Sequence, residues 1–203
     1  MYYSKQARIL KSLILCFILC ITTGFAYAET YDEAMQLMET GELNQAIKML
    51  QPLAEQGNTQ AQVRLGNMYM NGLGTKPNTV EGLKWLRMAV EKGNAEAETI
   101  LGNLYMNGFG VDMNKETGFE WYRMAAEKGF ATAQFNMGVS YFRGDGVEQD
   151  HYMSYIWMNI AAKAGHKLAG GYAETLETIL SPEQIEEGNL LIEEMSMEFN
   201  QSN

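Results

Sequence analysis

Residues 57–92 read GNTQAQVRLGNMYMNGLGTKPNTVEGLKWLRMAVEK and residues 93–128 read GNAEAETILGNLYMNGFGVDMNKETGFEWYRMAAEK; laid on one another without a gap they agree at 19 of 36 positions. Outward from this pair the same step continues. The three tryptophans of the chain, Trp85, Trp121 and Trp157, stand 36 residues apart, as do Gly66, Gly102 and Gly138, Tyr69, Tyr105 and Tyr141, and Gly93, Gly129 and Gly165. Ala61, Ala97, Ala133 and Ala169 keep the step as well. A fixed period of this length is the mark of stacked supersecondary units, each unable to bury its apolar face alone.

Each unit reads as two helices. The first, Gln60 to Met70 in the opening unit, brings Ala61, Leu65, Met68 and Tyr69 to one face; the second, Asn78 to Lys92, does the same with Leu83, Leu86, Ala89 and Val90, with Trp85 beside them. Between the helices lie Asn71-Gly72-Leu73-Gly74, Asn107-Gly108-Phe109-Gly110 and Arg143-Gly144-Asp145-Gly146, glycine pairs that stop a helix. Gly66, Gly102 and Gly138 sit mid-helix, where glycine costs about 1 kcal/mol against alanine. A cost repeated in every unit implies a repeated need, close approach of the paired helix, and Gly82, Gly118 and Ser154 are the matching small positions on the second helices. The periodic tryptophans read as core, Trp121 among them.

The ordered pattern Ala-x-x-x-Leu-Gly-x-x-Tyr-x-x-Gly-x-Gly, then Trp-x-x-x-Ala-x-x-x-Gly, occurs in two units and in a third with Met137 for the leucine. It resembles the Sel-one-like repeats, relatives of the tetratricopeptide repeat, tightly over residues 57–165. The resemblance implies an all-α, right-handed α-α superhelix, a solenoid of helix pairs whose first helices line a concave face. Residues 29–56 read as a degenerate tetratricopeptide-like unit with a tight turn at Gly41, residues 57–92, 93–128 and 129–165 as three full repeats, and residues 166–199 as a half-repeat with a capping helix. Ser181-Pro182-Glu183-Gln184 opens that helix with serine at the N-cap, proline at N1 and glutamine at N3. Its Ile185, Ile192, Met195 and Phe199 are expected to cover the last repeat, and its glutamates to face water.

Ahead of the repeats, Lys5, Arg8 and Lys11 precede an uncharged stretch from Ser12 to Tyr27 that ends in Ala26-Tyr27-Ala28, the plan of a signal peptide cut after Ala28. Retention of the segment as a membrane anchor is the alternative. Cleavage places the chain in the periplasm or outside the cell, with no membrane span left. It also removes both cysteines, Cys16 and Cys20, so neither a thiol nucleophile nor a cysteine-ligated metal is expected. Of 15 Lys+Arg three leave and no acid does, so 12 cations face 25 Asp+Glu, a balance of −13. That disfavours nucleic acid and anionic lipid, which demand a cationic face.

No catalytic apparatus is visible. His151 and His166, the two histidines, sit in no zinc or triad constellation and read as surface residues. The glycine loops follow helices rather than strands and lack the Gly-Lys-Ser/Thr of a phosphate loop. Cysteine-rich members of the resembled family are linked to β-lactam binding and hydrolysis; this chain lacks their cysteine pairs and any Ser-x-x-Lys. The expectation is therefore a non-catalytic scaffold of the cell envelope, without cofactor or metal, that binds a protein or peptide. A β-lactam- or peptidoglycan-directed enzyme and a secreted effector that binds host proteins are the alternatives.

The resemblance also implies where binding occurs: first-helix positions flanking the packed stripe face the groove. They are Gln60, Val63, Asn67, Met70 and Asn71, then Glu96, Thr99, Asn103, Met106 and Asn107, then Thr132, Phe135, Val139, Phe142 and Arg143. Asn67 and Asn103 are expected to form a ladder of amides for an extended peptide backbone, with Met70, Met106 and Phe142 offering apolar contact.

Overall fold

The computed structural model describes residues 30–201, which contain ten α-helices and no strand. The expected signal peptide, with Cys16 and Cys20, lies outside the described residues. Helix α1 covers residues 30–39 and is followed by α2 (Leu43–Glu55), α3 (Thr59–Asn71), α4 (Thr79–Val90), α5 (Ala95–Asn107), α6 (Lys115–Glu127), α7 (Ala131–Arg143), α8 (His151–Lys163), α9 (Ala169–Glu177) and α10 (Pro182–Gln201). No helix among the described residues is long and apolar enough to cross a membrane. The chain divides into two compact units, Met1–Trp85 and Leu86–Asn203, so the boundary falls within α4.

In the first unit α2 packs on α3 over Ala46, Leu50, Leu53, Ala54, Ala61 and Leu65, all buried. Asn58 begins α3 by accepting the amide of Ala61 at 2.9 Å, which satisfies one donor the first turn cannot use itself. Here the expected close approach of small residues is met. A methyl group built on Gly82 would lie 2.9 Å from the carbonyl oxygen of Gly66 and 2.6 Å from Met70 Cγ.

The second unit holds the pairs α5/α6 and α7/α8, then α9, with α10 laid on α8. The same device recurs: a methyl on Gly118 would meet Gly102 O at 3.0 Å, and one on Gly102 would meet the Tyr122 ring at 2.5 Å. In the third repeat serine takes the second small position, and Ser154 Oγ donates to Gly138 O at 2.7 Å. Asn94 caps α5, and Asn114 and Asp150 cap α6 and α8. Helix α5 ends on Gly108, whose φ of 67° lets its amide reach Leu104 O. The closing helix begins as its sequence predicts: Ser181 N donates to Gln184 Oε1 at 3.0 Å and Gln184 N to Ser181 Oγ at 3.2 Å. Ile192 is buried, Ile185, Met195 and Phe199 pack on the core of the unit, and Glu186, Glu187, Glu193 and Glu194 are exposed.

Two expectations need correction. Trp85 and Trp157 are buried, at 4% and 5% exposure, but Trp121 is only half-buried, although Glu120, Tyr122 and Arg123 around it are exposed and buried in the same order as Lys84, Leu86 and Arg87 around Trp85. His166 is no simple surface residue: its Nδ1 is buried without a partner, and its ring stacks on Phe135 at 4.1 Å. Burial among these groups lowers its pKa.

A polar ladder went unpredicted. Gln62, Glu98 and Gln134 occupy one position of the 36-residue step and are all buried. Gln62 Nε2 donates to Ala54 O at 2.9 Å and Gln134 Nε2 to Ala126 O at 3.3 Å, each binding the last turn of the helix before it. Glu98 cannot donate in this way when ionised; it accepts instead from Lys128 Nζ at 2.5 Å, which also donates to Gly93 O.

Candidate functional site

Of the expected groove residues, Val63 and Thr99 are buried and line no open face, since each lies on the inner side of its helix beside the buried Gln62 and Glu98. Several others are already engaged. Asn71 Nδ2 donates to Asn67 O at 2.9 Å and Asn107 Nδ2 to Asn103 O at 2.7 Å, so both tie down carbonyls in the last turn of their helices. Asn103 Oδ1 accepts from Tyr122 Oη at 2.6 Å, leaving its amide nitrogen as the free end of that side chain. Met70 and Met106 are half-buried and fill the space above Gly82 and Gly118.

The second unit brings six expected residues, Met106, Asn107, Phe135, Val139, Phe142 and Arg143, around two adjoining clefts. The first, of about 320 Å³, lies between α5, α6 and α7; Met106, Asn107 and Arg143 line it together with Lys115, Tyr122, Asn136 and Asp145. The second, of about 200 Å³, lies between α7, α8 and α9; Phe142 and Arg143 line it with Val139, Met158, Tyr172 and Leu176. Phe135 stands beside the second cleft through an edge-on contact with Tyr172 at 5.5 Å. Phe142 is exposed and stacks on His151 at 5.3 Å. Asn67, Met70 and Asn71 belong to the first unit, and neither cleft includes them.

The character of the two clefts follows from one substitution within the period. Positions 86, 122 and 158 hold Leu, Tyr and Met. In the second repeat the Tyr122 ring covers Gly102 and its hydroxyl holds Asn103, which makes a polar wall. In the third, Met158 covers Gly138 and lines the cleft with Val139, and the Ser154 hydroxyl is satisfied by Gly138 O, so the cleft stays mainly apolar.

Burial pushes the Tyr122 phenol up to about 12, and the Asp145 carboxylate adds to the shift. The folded state thus keeps a proton that the unfolded chain releases near 10, so this stabilisation is whole below pH 10 and is lost as pH rises from about 10 to about 12. Tyr122→Phe is expected to cost about 1 kcal/mol at neutral pH through the lost hydrogen bond. Its stability should also fall less steeply in alkali, and denaturant midpoints that run parallel to the parent's across that window would contradict the assignment.

Compared with known proteins, the chain matches the Sel1 repeat model at residues 42–58, 59–94, 95–130 and 131–166. The chain belongs to the Sel1 repeat family. Sel1 repeat proteins are generally non-catalytic scaffolds, and such repeats typically mediate protein interactions. Among solved structures, a protective antigen of uropathogenic Escherichia coli strains displaying an SLR fold is 31% identical, with a TM-score of 0.70 over 76% of this chain and 33% of its own. A Sel1 repeat protein from Oxalobacter formigenes is likewise 31% identical, with a TM-score of 0.62 over 68% of this chain and 56% of its own. The chain therefore spans about a third of the first relative and little over half of the second. Among curated proteins none matches the sequence. These Sel1 repeats form the all-α helix pairs of that solenoid class. Among the described residues no group of three or more His, Asp or Glu is placed to hold a metal ion.

Proposed function

We propose that the chain is a non-catalytic, exported scaffold of the cell envelope whose Sel1 repeats bind a protein or peptide partner through the two clefts around Arg143. The observation that carries this reading is the pairing of a polar and an apolar cleft along one wall, with Phe142 and Tyr172 exposed beside them. Apolar pockets with a few convergent polar groups are where proteins take ligands. Export rests on the basic, apolar and small-x-small order of residues 1–28; the likeness to a protective antigen is in keeping with it.

The test is affinity capture from envelope extracts with the intact chain and with an Arg143→Glu/Phe142→Ala variant. The variant should fold with an unchanged melting temperature and lose its captured partner at least about tenfold, the scale of removing one or two anchoring contacts. Equal capture by both proteins would move the binding surface elsewhere. Turnover of a chromogenic cephalosporin or of muropeptides above a heat-killed control would overturn the non-catalytic reading.

A further inference from the structure

At the shared wall the third repeat departs from the first two. Asn67/Asn71 and Asn103/Asn107 are replaced there by Val139/Arg143. In the earlier repeats the second asparagine turns back onto its own helix. Arg143 does not: among the described residues its guanidinium has neither a hydrogen-bond nor an ion-pair partner. Lys115, the other cation of the polar cleft, is already paired with Asp145 at 2.6 Å. One uncompensated positive charge thus faces an open cleft in a chain of net charge −10. On its other side lies the apolar cleft, where the hydroxyl of Ser154 is spent on Gly138 O and hydrocarbon from Val139, Met158 and Leu176 remains.

We infer that this place takes the free C-terminus of a polypeptide ending in a large apolar residue, its α-carboxylate on Arg143 and its last side chain in the apolar cleft. The inference rests on the binding reading above and names the ligand of that site. Arg143 and Val139 line both clefts, so anion and apolar group must be joined compactly. In a terminal residue the carboxylate and the side chain leave the same carbon. An Asp or Glu side chain fails this requirement: it carries the charge where the apolar end should be, and its neighbours in an extended chain point to the opposite side. The planar fork of Arg143 matches the two carboxylate oxygens, and Asn136 lines the same cleft with an amide to spare. A cleft of about 200 Å³ holds one leucine, methionine or phenylalanine side chain. A run of carboxylates is disfavoured by the acidic chain as a whole, whereas a single one in contact with Arg143 escapes most of that repulsion, because distant charges are screened beyond about 8 Å in physiological salt.

The test is an NMR titration of the intact chain with the hexapeptide Gly-Ser-Ser-Gly-Ala-Leu, N-acetylated, as free acid and as C-terminal amide, and with an amidated hexapeptide that carries an internal Glu-Leu. The free acid should shift the Arg143 Nε–Hε resonance and bind at least about tenfold more tightly than either amide. Arg143→Gln, which removes an exposed and unpaired group, should keep its fold by circular dichroism and bind acid and amide alike. Free-acid and amide binding of equal strength, or a preference for the internal Glu-Leu peptide, overturns the terminal-carboxylate assignment while leaving the scaffold reading standing. Failure of all three peptides to bind overturns the assignment, and the scaffold reading then stands or falls on the capture experiment.

Discussion

Trp157→Ala should cost about 3 to 5 kcal/mol of stability, the range for truncating a buried large aromatic. Trp157 is 5% exposed, lies in the core of the second unit and has its ring centroid 6.1 Å from that of Phe199. Its Nε1 is buried without a hydrogen-bond partner, so the indole is held for its shape and apolar area. The cavity would open between α8 and α10, and because repeat units are stabilised mainly by their neighbours, the loss should be local. Hydrogen exchange should show α8 and α10 losing protection while α2 and α3 keep theirs. Equal protection in α10 before and after the change would contradict the packing role. Trp121→Ala, at a half-buried site, should cost less than half as much.

Gly146→Ala is the second change of large expected effect. Gly146 has a φ of 75°, and a methyl built on it would run into the carbonyl group of Lys115 at the start of α6, a neighbour that is backbone and cannot swing aside. The left-handed conformation costs an alanine about 1 to 2 kcal/mol, and overpacking adds about 1 to 3 kcal/mol. A total loss of about 2 to 5 kcal/mol is expected from denaturant unfolding. Because Asp145 pairs with Lys115 at the next position, the same displacement should separate that pair and widen the polar cleft. A variant as stable as the parent would mean that the loop does not press on α6.

The helix pairs were legible because the demands of packing recur with the period. Gly66, Gly102 and Gly138 bear a cost that only close approach explains, and Gly82, Gly118 and Ser154 meet them where the spacing requires. The capping box at Ser181 was legible for a local reason, since its partners lie three residues apart. What escaped was set between repeats by residues that break the period. Asn103 and Asn67 look alike in sequence, but Tyr122 stands opposite Asn103 and takes its oxygen, whereas the corresponding residue in the first repeat is Leu86. By spacing Val63 and Thr99 flank the packed stripe, yet the inner face of the helix is wide enough to enclose them. Glu98 was missed because a carboxylate on a helix reads as solvated, and the lysine that accompanies its burial is 30 residues away. The expected groove residues Met106, Asn107, Val139, Phe142 and Arg143 do meet around the two clefts, although only Val139 and Arg143 line both.

The buried polar ladder bears on how such a chain can gain or lose length. Gln62 and Gln134 each bind a backbone carbonyl of the preceding helix, an acceptor that any preceding unit offers whatever its side chains. Glu98 carries its own counterion within its unit, since Lys128 lies in the same matched repeat, 95–130. Both solutions are portable. Duplication or deletion in steps of 36 residues therefore need not strand a buried polar group, a defect that would cost about 1 to 3 kcal/mol each time. Unequal recombination between copies is left with few penalties at this position, and arrays of different length become accessible from one another by single events.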